Sequence, residues 1–284
     1  AASSTAMAPL LDAVRGAGVH LGVYYTWRSH PIVNDLRALI DAGVIGKLLS
    51  VEGRMVTSQV RFRDPAHWLF RKGIAGGGIL SWLGCHWIDA IRYITRDEVT
   101  AVTAMVDTLN GQPIDVEDTA GVIMRMGSGA IATLHAGYLL PISQAGYLSG
   151  SYDTYLGFRG LEGNITWYPT DEDRPVVVES TSKTWNDTPR RELKYVVAES
   201  EAYGGRYGQD FVGRFIASAV GGDPSAGSAS ADGSVDSVSP NGPSSPQSPY
   251  DDGENALRVL RVIEAAYQSS ESGRMVSLEQ DREG

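Results

Sequence analysis

Gly76-Gly77-Gly78-Ile79-Leu80-Ser81-Trp82-Leu83-Gly84-Cys85-His86-Trp87-Ile88-Asp89 sets three glycines against the start of an amphipathic helix. Consecutive glycines leave a backbone free to take positive φ and to let another chain or a ligand approach closely. Leu83, Trp87, Ile91 and Ile94 then recur at spacings of three or four and predict one apolar helix face. His86, Asp89, Ala90 and Tyr93 fall on another face. His86 thus lies in the first turns of a helix that leaves a glycine corner. N–H groups and the positive end of the helix dipole gather there, a setting suited to holding an anion or tuning an imidazole. The same position also suits a packed or capping histidine, and spacing alone does not choose between the two.

On the N-terminal side of this stretch, residues 4–17 predict a helix capped by Ser3 or Ser4 and closed by Gly16 and Gly18. Val19-His20-Leu21-Gly22-Val23-Tyr24 reads as a short buried strand, and the pair forms one αβ unit of a doubly wound sheet. Ligands in open α/β sheets bind beyond the carboxyl ends of strands, where Tyr25-Thr26-Trp27-Arg28-Ser29-His30-Pro31 lies. Arg28 is either ligand-facing there or half of a structural ion pair. His30 precedes a proline and is held extended, as a surface or capping group. A helix over 32–42 ends at Gly43, with Leu36, Leu39 and Ile40 inward.

From Leu48 the period changes to two, and Leu49, Val51, Gly53 and Met55 predict a half-buried strand. Beyond the central helix, strands are expected near 99–109, 118–126, 129–138, 154–159, 164–168, 175–180 and 192–198. Gly127-Ser128-Gly129 and Gly160-Leu161-Glu162-Gly163 supply tight turns, so the strands join by hairpins into an antiparallel sheet. A helix over 207–220 places Phe211, Phe215 and Ile216 on one face. Residues 222–249 are dominated by Ser, Gly, Pro and Asp and read as a disordered insertion. A last helix over 252–268 and a closing strand at 274–278 complete an α+β chain with a large open, mainly antiparallel sheet and flanking helices.

The net charge of −10 over 284 residues argues against a nucleic-acid partner, since phosphate binding needs a basic face. The single cysteine, Cys85, excludes an intrachain disulfide and, among apolar neighbours, reads as an inert core thiol suited to a reducing compartment. No apolar run is long enough to span a membrane, and Ala1-Ala2-Ser3-Ser4 lacks the features of a signal peptide, so a cytoplasmic location is expected. His67, His86 and Asp89 match no compact ligand motif, and no metal site is expected.

Five fragments in fixed order carry a family resemblance. They are Val19-His20-Leu21-Gly22-Val23 running to Arg28 and Pro31; Leu39 to Gly46; the glycine triplet with His86 and Asp89; Arg159-Gly160-Leu161-Glu162-Gly163; and Ala265 to Arg274. From about residue 3 to residue 279, excluding the insertion, the chain resembles the glucose–fructose oxidoreductase / inositol dehydrogenase (Gfo/Idh/MocA) family. The resemblance implies a dehydrogenase that binds NAD or NADP and moves hydride to or from a sugar, polyol or related carbonyl compound. It implies that residues 1–27 are a remnant of the NAD(P)-binding Rossmann domain and that 28–284 form the substrate and oligomerisation domain. The open sheet would pack against its copy in a homo-oligomer.

Carried over position by position, the resemblance makes His86 the catalytic histidine, Trp27 and Arg28 cofactor contacts, and Arg28, Tyr152, Trp82 and Asp89 substrate contacts. An aromatic sheet residue is the plainer account of Tyr152 and its neighbour Tyr155. Two departures stand out. No G-x-G-x-x-G follows a strand, and the family's Glu-Lys-Pro motif is absent. Trp82 stands where many members carry an aspartate four residues before the histidine, which replaces a carboxylate by an apolar wall with one N–H donor. An alternative function is therefore a catalytically silent fragment that only binds a ligand or self-associates.

Overall fold

Ser3 accepts the Ala6 N–H at 3.2 Å and so starts α1 (Ser4–Ala17), which ends on Gly18 at φ +62°, a left-handed cap open to a residue without Cβ. The computed structural model describes residues 2–141, 151–171, 173–196, 200–202, 204–220 and 252–278. The insertion expected over 222–249 lies outside the described residues.

Residues 19–25 correct the expected strand Val19–Tyr24. They run beside no described strand, so no ladder forms. The segment instead packs against a later helix, α5 (Gly205–Ala219): a Cβ on Gly22 would come within 2.9 Å of the Phe215 ring, and Tyr24 meets Phe211 edge-on at 5.3 Å. After a 3-10 turn, Thr26–Ser29, α2 (Pro31–Asp41) begins with proline at its first position, where no N–H is needed. His30 caps it, accepting the Ile32 N–H on Nδ1 at 3.1 Å. It is buried rather than at the surface.

The strands are β1 (Leu48–Ser58), β2 (Val99–Asp107), β3 (Thr119–Met126), β4 (Ile131–Leu140), β5 (Tyr152–Gly160), β6 (Gly163–Trp167), β7 (Val176–Ser180), β8 (Arg190–Leu193) and β9 (Val276–Ser277). They form one nine-stranded sheet in the order β8-β7-β6-β5-β1-β4-β3-β2-β9. Hairpins account for the flanks, but β1 sits in the middle and runs parallel to β4. That departs from a purely hairpin-built sheet. A parallel neighbour requires a long crossover. The chain between β1 and β2 supplies it with α3 (Lys72–Ala75), a π-turn (Leu80–Gly84) and α4 (Cys85–Thr95). Leu49 is also corrected. The β1–β5 register shifts between Leu48 and Ser50, and this bulge leaves Leu49 48% exposed while Val51, Gly53 and Met55 face inward.

One sheet face carries Val51, Met55, Leu134, Ala136, Leu156 and Phe158, all buried in a single core with α4 and α6 (Asp252–Ser272). Met7 and Leu11 place α1 in the same core, and Ser4 binds Glu264 of α6 through both its N–H and its hydroxyl. Among the described residues, the other face exposes Met105, Ile123 and Ile131. On α5, Phe211 is buried, Phe215 half-buried and Ile216 exposed, so the trio expected on one face is not buried together. Among the described residues no helix is long and apolar enough to cross a membrane.

Candidate active site

Asp89 and Arg28 meet at the centre of the site. The helix periodicity that buries Trp87 and Ile91 turns Asp89 toward the 3-10 turn, where Arg28 closes on it through Nε–Oδ2 at 3.0 Å and Nη2–Oδ1 at 2.5 Å. Both side chains are almost fully buried. A bidentate pair of this kind is geometrically specific, and removing either partner strands a buried charge. Arg28 also lies over the Tyr93 ring at 5.1 Å. Tyr93 donates to Asn34 Oδ1 at 2.8 Å, and Asn34 returns a bond to the Arg28 carbonyl at 3.2 Å. Arg28 is thus fixed by its side chain and its backbone together.

His86 stands on α4 one turn before Asp89 and is half-buried. Its ring meets Tyr25 edge-on at 5.7 Å. Desolvation holds the imidazole pKa below its ordinary value, with the Asp89 charge opposing that shift. His86 is therefore neutral at pH 7 and able to accept a proton. Burial also pushes the Tyr25 phenol up, with help from Cys85 and Asp89. Cys85 points inward, donates to the Trp82 carbonyl at 3.2 Å, and is pushed up to about 12 by burial, the profile of an inert thiol.

The Trp27 ring packs at a tilt against Trp87 at 4.5 Å and Trp167 at 5.4 Å. Trp87 in turn donates to the Tyr155 carbonyl at 3.3 Å and sits over Gly53, where a Cβ would come within 3.1 Å. Trp27, Arg28, His86 and Asp89 are therefore gathered around α4.

Trp82 and Tyr152 belong to a second wall. Thr57 on β1 is registered with Tyr138 of β4 and Tyr152 of β5, on the helix-covered face. Arg63 donates to Thr57 Oγ1 at 3.1 Å and lies against the rings of Trp82 and Tyr138, at 5.4 and 5.3 Å. Trp82 and Tyr138 stack at 6.0 Å. Trp82 thus leaves one turn before His86 as part of a cationic–aromatic stack. His67 caps a short 3-10 turn, Trp68–Phe70, by accepting the Leu69 N–H, and its ring lies tilted beside Trp68.

The glycine corner has a different explanation from ligand approach. Gly76, at φ +81°, caps α3. A Cβ on Gly77 would fall 1.9 Å from Tyr267 Oη, and one on Gly78 would fall 1.9 Å from the Glu117 carbonyl. Glu117 accepts the Gly78 N–H at 2.7 Å and the Leu80 N–H at 2.9 Å on its carboxylate, and the Ile79 N–H at 3.2 Å on its carbonyl. The N–H groups expected to hold an anion are already satisfied from within the chain. Sequence reasoning missed Glu117, Tyr25 and Arg63. The only trace of Glu117 is the carboxylate pair Glu117-Asp118 ahead of a strand, and both members bind backbone N–H groups.

The GFO/IDH/MocA C-terminal domain matches this chain over residues 33–165. Levoglucosan dehydrogenase of Pseudarthrobacter phenanthrenivorans is 26% identical over 181 residues, covering 56% of this chain and 44% of that protein. D-xylose 1-dehydrogenase [NADP(+)] of Haloarcula marismortui is 26% identical over 157 residues, covering 54% and 41%. The chain thus spans less than half the length of these curated relatives. A solved levoglucosan dehydrogenase in complex with NADH and levoglucosan shares the fold with a TM-score of 0.71 at 24% identity, over 99% of this chain and 72% of that one. An aldose-aldose oxidoreductase from Caulobacter crescentus complexed with glycerol superposes with a TM-score of 0.70 at 20% identity, over 98% and 70%.

Proposed function

Since residues 33–165 match the GFO/IDH/MocA C-terminal domain, we propose that this chain is the substrate-handling part of an NAD(P)-dependent oxidoreductase acting on a sugar, polyol or related carbonyl compound. The observation that carries the reading is a neutral, half-buried His86 one turn from a buried Arg28–Asp89 pair. Oxidising a carbinol to a carbonyl removes the hydroxyl proton, and a neutral imidazole is suited to take it. In the reverse direction the imidazolium returns that proton to the nascent alkoxide. Arg28, neutralised by Asp89, contributes a fixed wall and orients the 3-10 turn that carries Trp27. Trp82 and Tyr152 offer apolar and aromatic surface for the C–H face of a sugar ring, as sugar-binding sites commonly require.

The relatives' names and ligands support the substrate class and the dinucleotide. The described residues of this chain do not themselves fit a dinucleotide pyrophosphate. Ser3 caps α1, His30 caps α2, and Glu117 fills the N–H groups ahead of α4. The same observation favours a second reading, a domain that binds ligand or self-associates without turnover by itself. In either case we assign self-association to the open sheet face with Met105, Ile123 and Ile131, and place the protein in the cytoplasm.

The test is an oxidation assay with levoglucosan, xylose and inositol, NAD+ and NADP+ each supplied, on the longest product of the reading frame. The dehydrogenase reading expects turnover with at least one sugar, and a His86→Ala loss of about 100-fold or more with little change in melting temperature. Equal loss of turnover and stability would return His86 to a packing role. No turnover with any pair, together with a concentration-dependent dimer by ultracentrifugation, would favour the second reading.

A further inference from the structure

The π-turn over Leu80–Gly84 sets the rotational phase of everything after it. Such a turn holds one more residue than an α-turn, and one residue corresponds to about 100° of helix rotation. If residues 80–84 wound as ordinary α-helix, His86 and Asp89 would swing to another face and Asp89 would leave Arg28. Something must hold the π-turn in place, because its hydrogen bonds are less favourable than those of an α-helix.

The residues at its entrance form a closed set. Glu117 Oε2 accepts the Gly78 N–H, Glu117 Oε1 accepts the Leu80 N–H, and the Glu117 carbonyl accepts the Ile79 N–H between them. Tyr267 of α6 donates to Glu117 Oε1 at 3.0 Å and bonds Ser81 Oγ, the second residue of the turn, at 2.9 Å. Gly77 and Gly78 have no side chain because Tyr267 Oη and the Glu117 carbonyl occupy the space a Cβ would need. Glu117 itself is buried and has no cationic partner in any described ion pair. A carboxylate burdened with desolvation is kept in that place only by the donors that converge on it.

We infer that Glu117 is a positioning residue for His86: by clamping Gly78 and Leu80 it holds the π-turn and thereby the direction of the imidazole. The inference rests on the reading of His86 as the substrate-facing base, but its test does not need turnover. The groups that face His86 directly, Asp89 and Tyr25, are left untouched.

The test compares wild type with Glu117→Gln, which keeps the shape but presents an NH2 group to one of the two N–H donors. His86 is followed by NMR titration, assigned by its loss in His86→Gln, with His135 on the open sheet face as the internal control. Amide exchange is read at Gly78 and Leu80. The clamp predicts exchange at one or both amides at least 10-fold faster. It also predicts a His86 midpoint raised by half a unit or more toward the ordinary value as water enters, with His135 unmoved. A folded Glu117→Gln with unchanged His86 midpoint and unchanged exchange overturns the inference. If Glu117→Gln does not fold, Tyr267→Phe removes one donor from the same carboxylate. The same two readouts must then move in the same direction by a smaller amount, and no movement overturns it. Loss of turnover in His86→Ala without these shifts would refute the clamp and leave the dehydrogenase reading standing. The shifts without that loss would do the reverse.

Discussion

Two carboxylates hold α4, one on each side of His86, and they do so by opposite physics. Asp89 faces a guanidinium in a bidentate pair, charge against charge in a dry environment. Among the described residues the Glu117 carboxylate faces neutral donors, including the Gly78 and Leu80 N–H groups and the Tyr267 phenol. Desolvation raises the Glu117 pKa although those donors oppose it. The comparison teaches that a buried acid can serve as an anchor in two ways. Paired with a cation, it fixes the relation between two distant segments. Surrounded by N–H dipoles, it fixes the local path of the backbone. His86 depends on both, since one sets where the helix lies and the other sets how it is turned.

The largest effect is expected on the Arg28 side. Asp89→Ala leaves a buried guanidinium unpaired and should cost about 3–5 kcal/mol in denaturant unfolding. Replacing both partners together, Arg28→Met with Asp89→Leu, should recover much of that loss. An Asp89→Ala cost under about 1 kcal/mol would show that water reaches Arg28 and would break the contrast with Glu117.

A pH effect comes next. His30 is buried between Trp167 and Tyr207, and burial lowers its pKa to about 4. A lowered histidine pKa means the unfolded chain binds the extra proton between about 4 and 6.5. Stability is therefore full above 6.5 and falls as the pH drops toward 4, by roughly 3 kcal/mol from this group. His30→Asn keeps an N-cap acceptor and should flatten that slope in melts across the window. Glu117 works with the opposite sign. Its raised pKa makes the folded chain hold the proton longer, so its contribution is fullest below the ordinary carboxylate pKa and is lost as pH rises through the folded value. Glu117→Gln should remove that second trend and leave the His30 slope intact.

A smaller loss is expected at the corner. Gly78→Ala drives a Cβ against the Glu117 backbone, which cannot rotate away, and should cost about 1–3 kcal/mol. Gly73→Ala, with open space around its Cβ, is the control and should be near neutral. Calorimetry of this chain with NAD+ or NADP+ should show no saturable heat, because the starts of α1 and α2 and the N–H groups ahead of α4 already have internal partners. Micromolar binding would contradict the assignment of those N–H groups to internal partners.

The contrast also explains what could be read in advance. Periodicity alone located α4 and most of the strands, because Trp87, Ile91 and Ile94 or Val51, Gly53 and Met55 state their burial locally, but the strand expected near 192–198 is instead β8 at Arg190–Leu193. Periodicity could not place β1 beside β4, nor show that Val19–Tyr24 pairs with no described strand and packs on α5 instead, since pairing is decided by distant chain. Arg28 was legible as a ligand-facing or ion-paired residue and Asp89 as a member of a helix face other than the apolar one, but their pairing spans 61 residues. The glycine triplet announced a close approach without saying of what. The answer, Glu117 and Tyr267, lies 39 residues from Gly78 and 186 from Ser81. Leu49 failed for a local reason, a bulge that alternation cannot signal.

The central claim is that His86 is a neutral base at the pH where the protein works. Its imidazole titration by NMR in the wild-type chain tests this directly. The account predicts a midpoint below 6.5, lower still in Asp89→Asn, where the opposing charge is gone. A midpoint at or above 6.5 would contradict it.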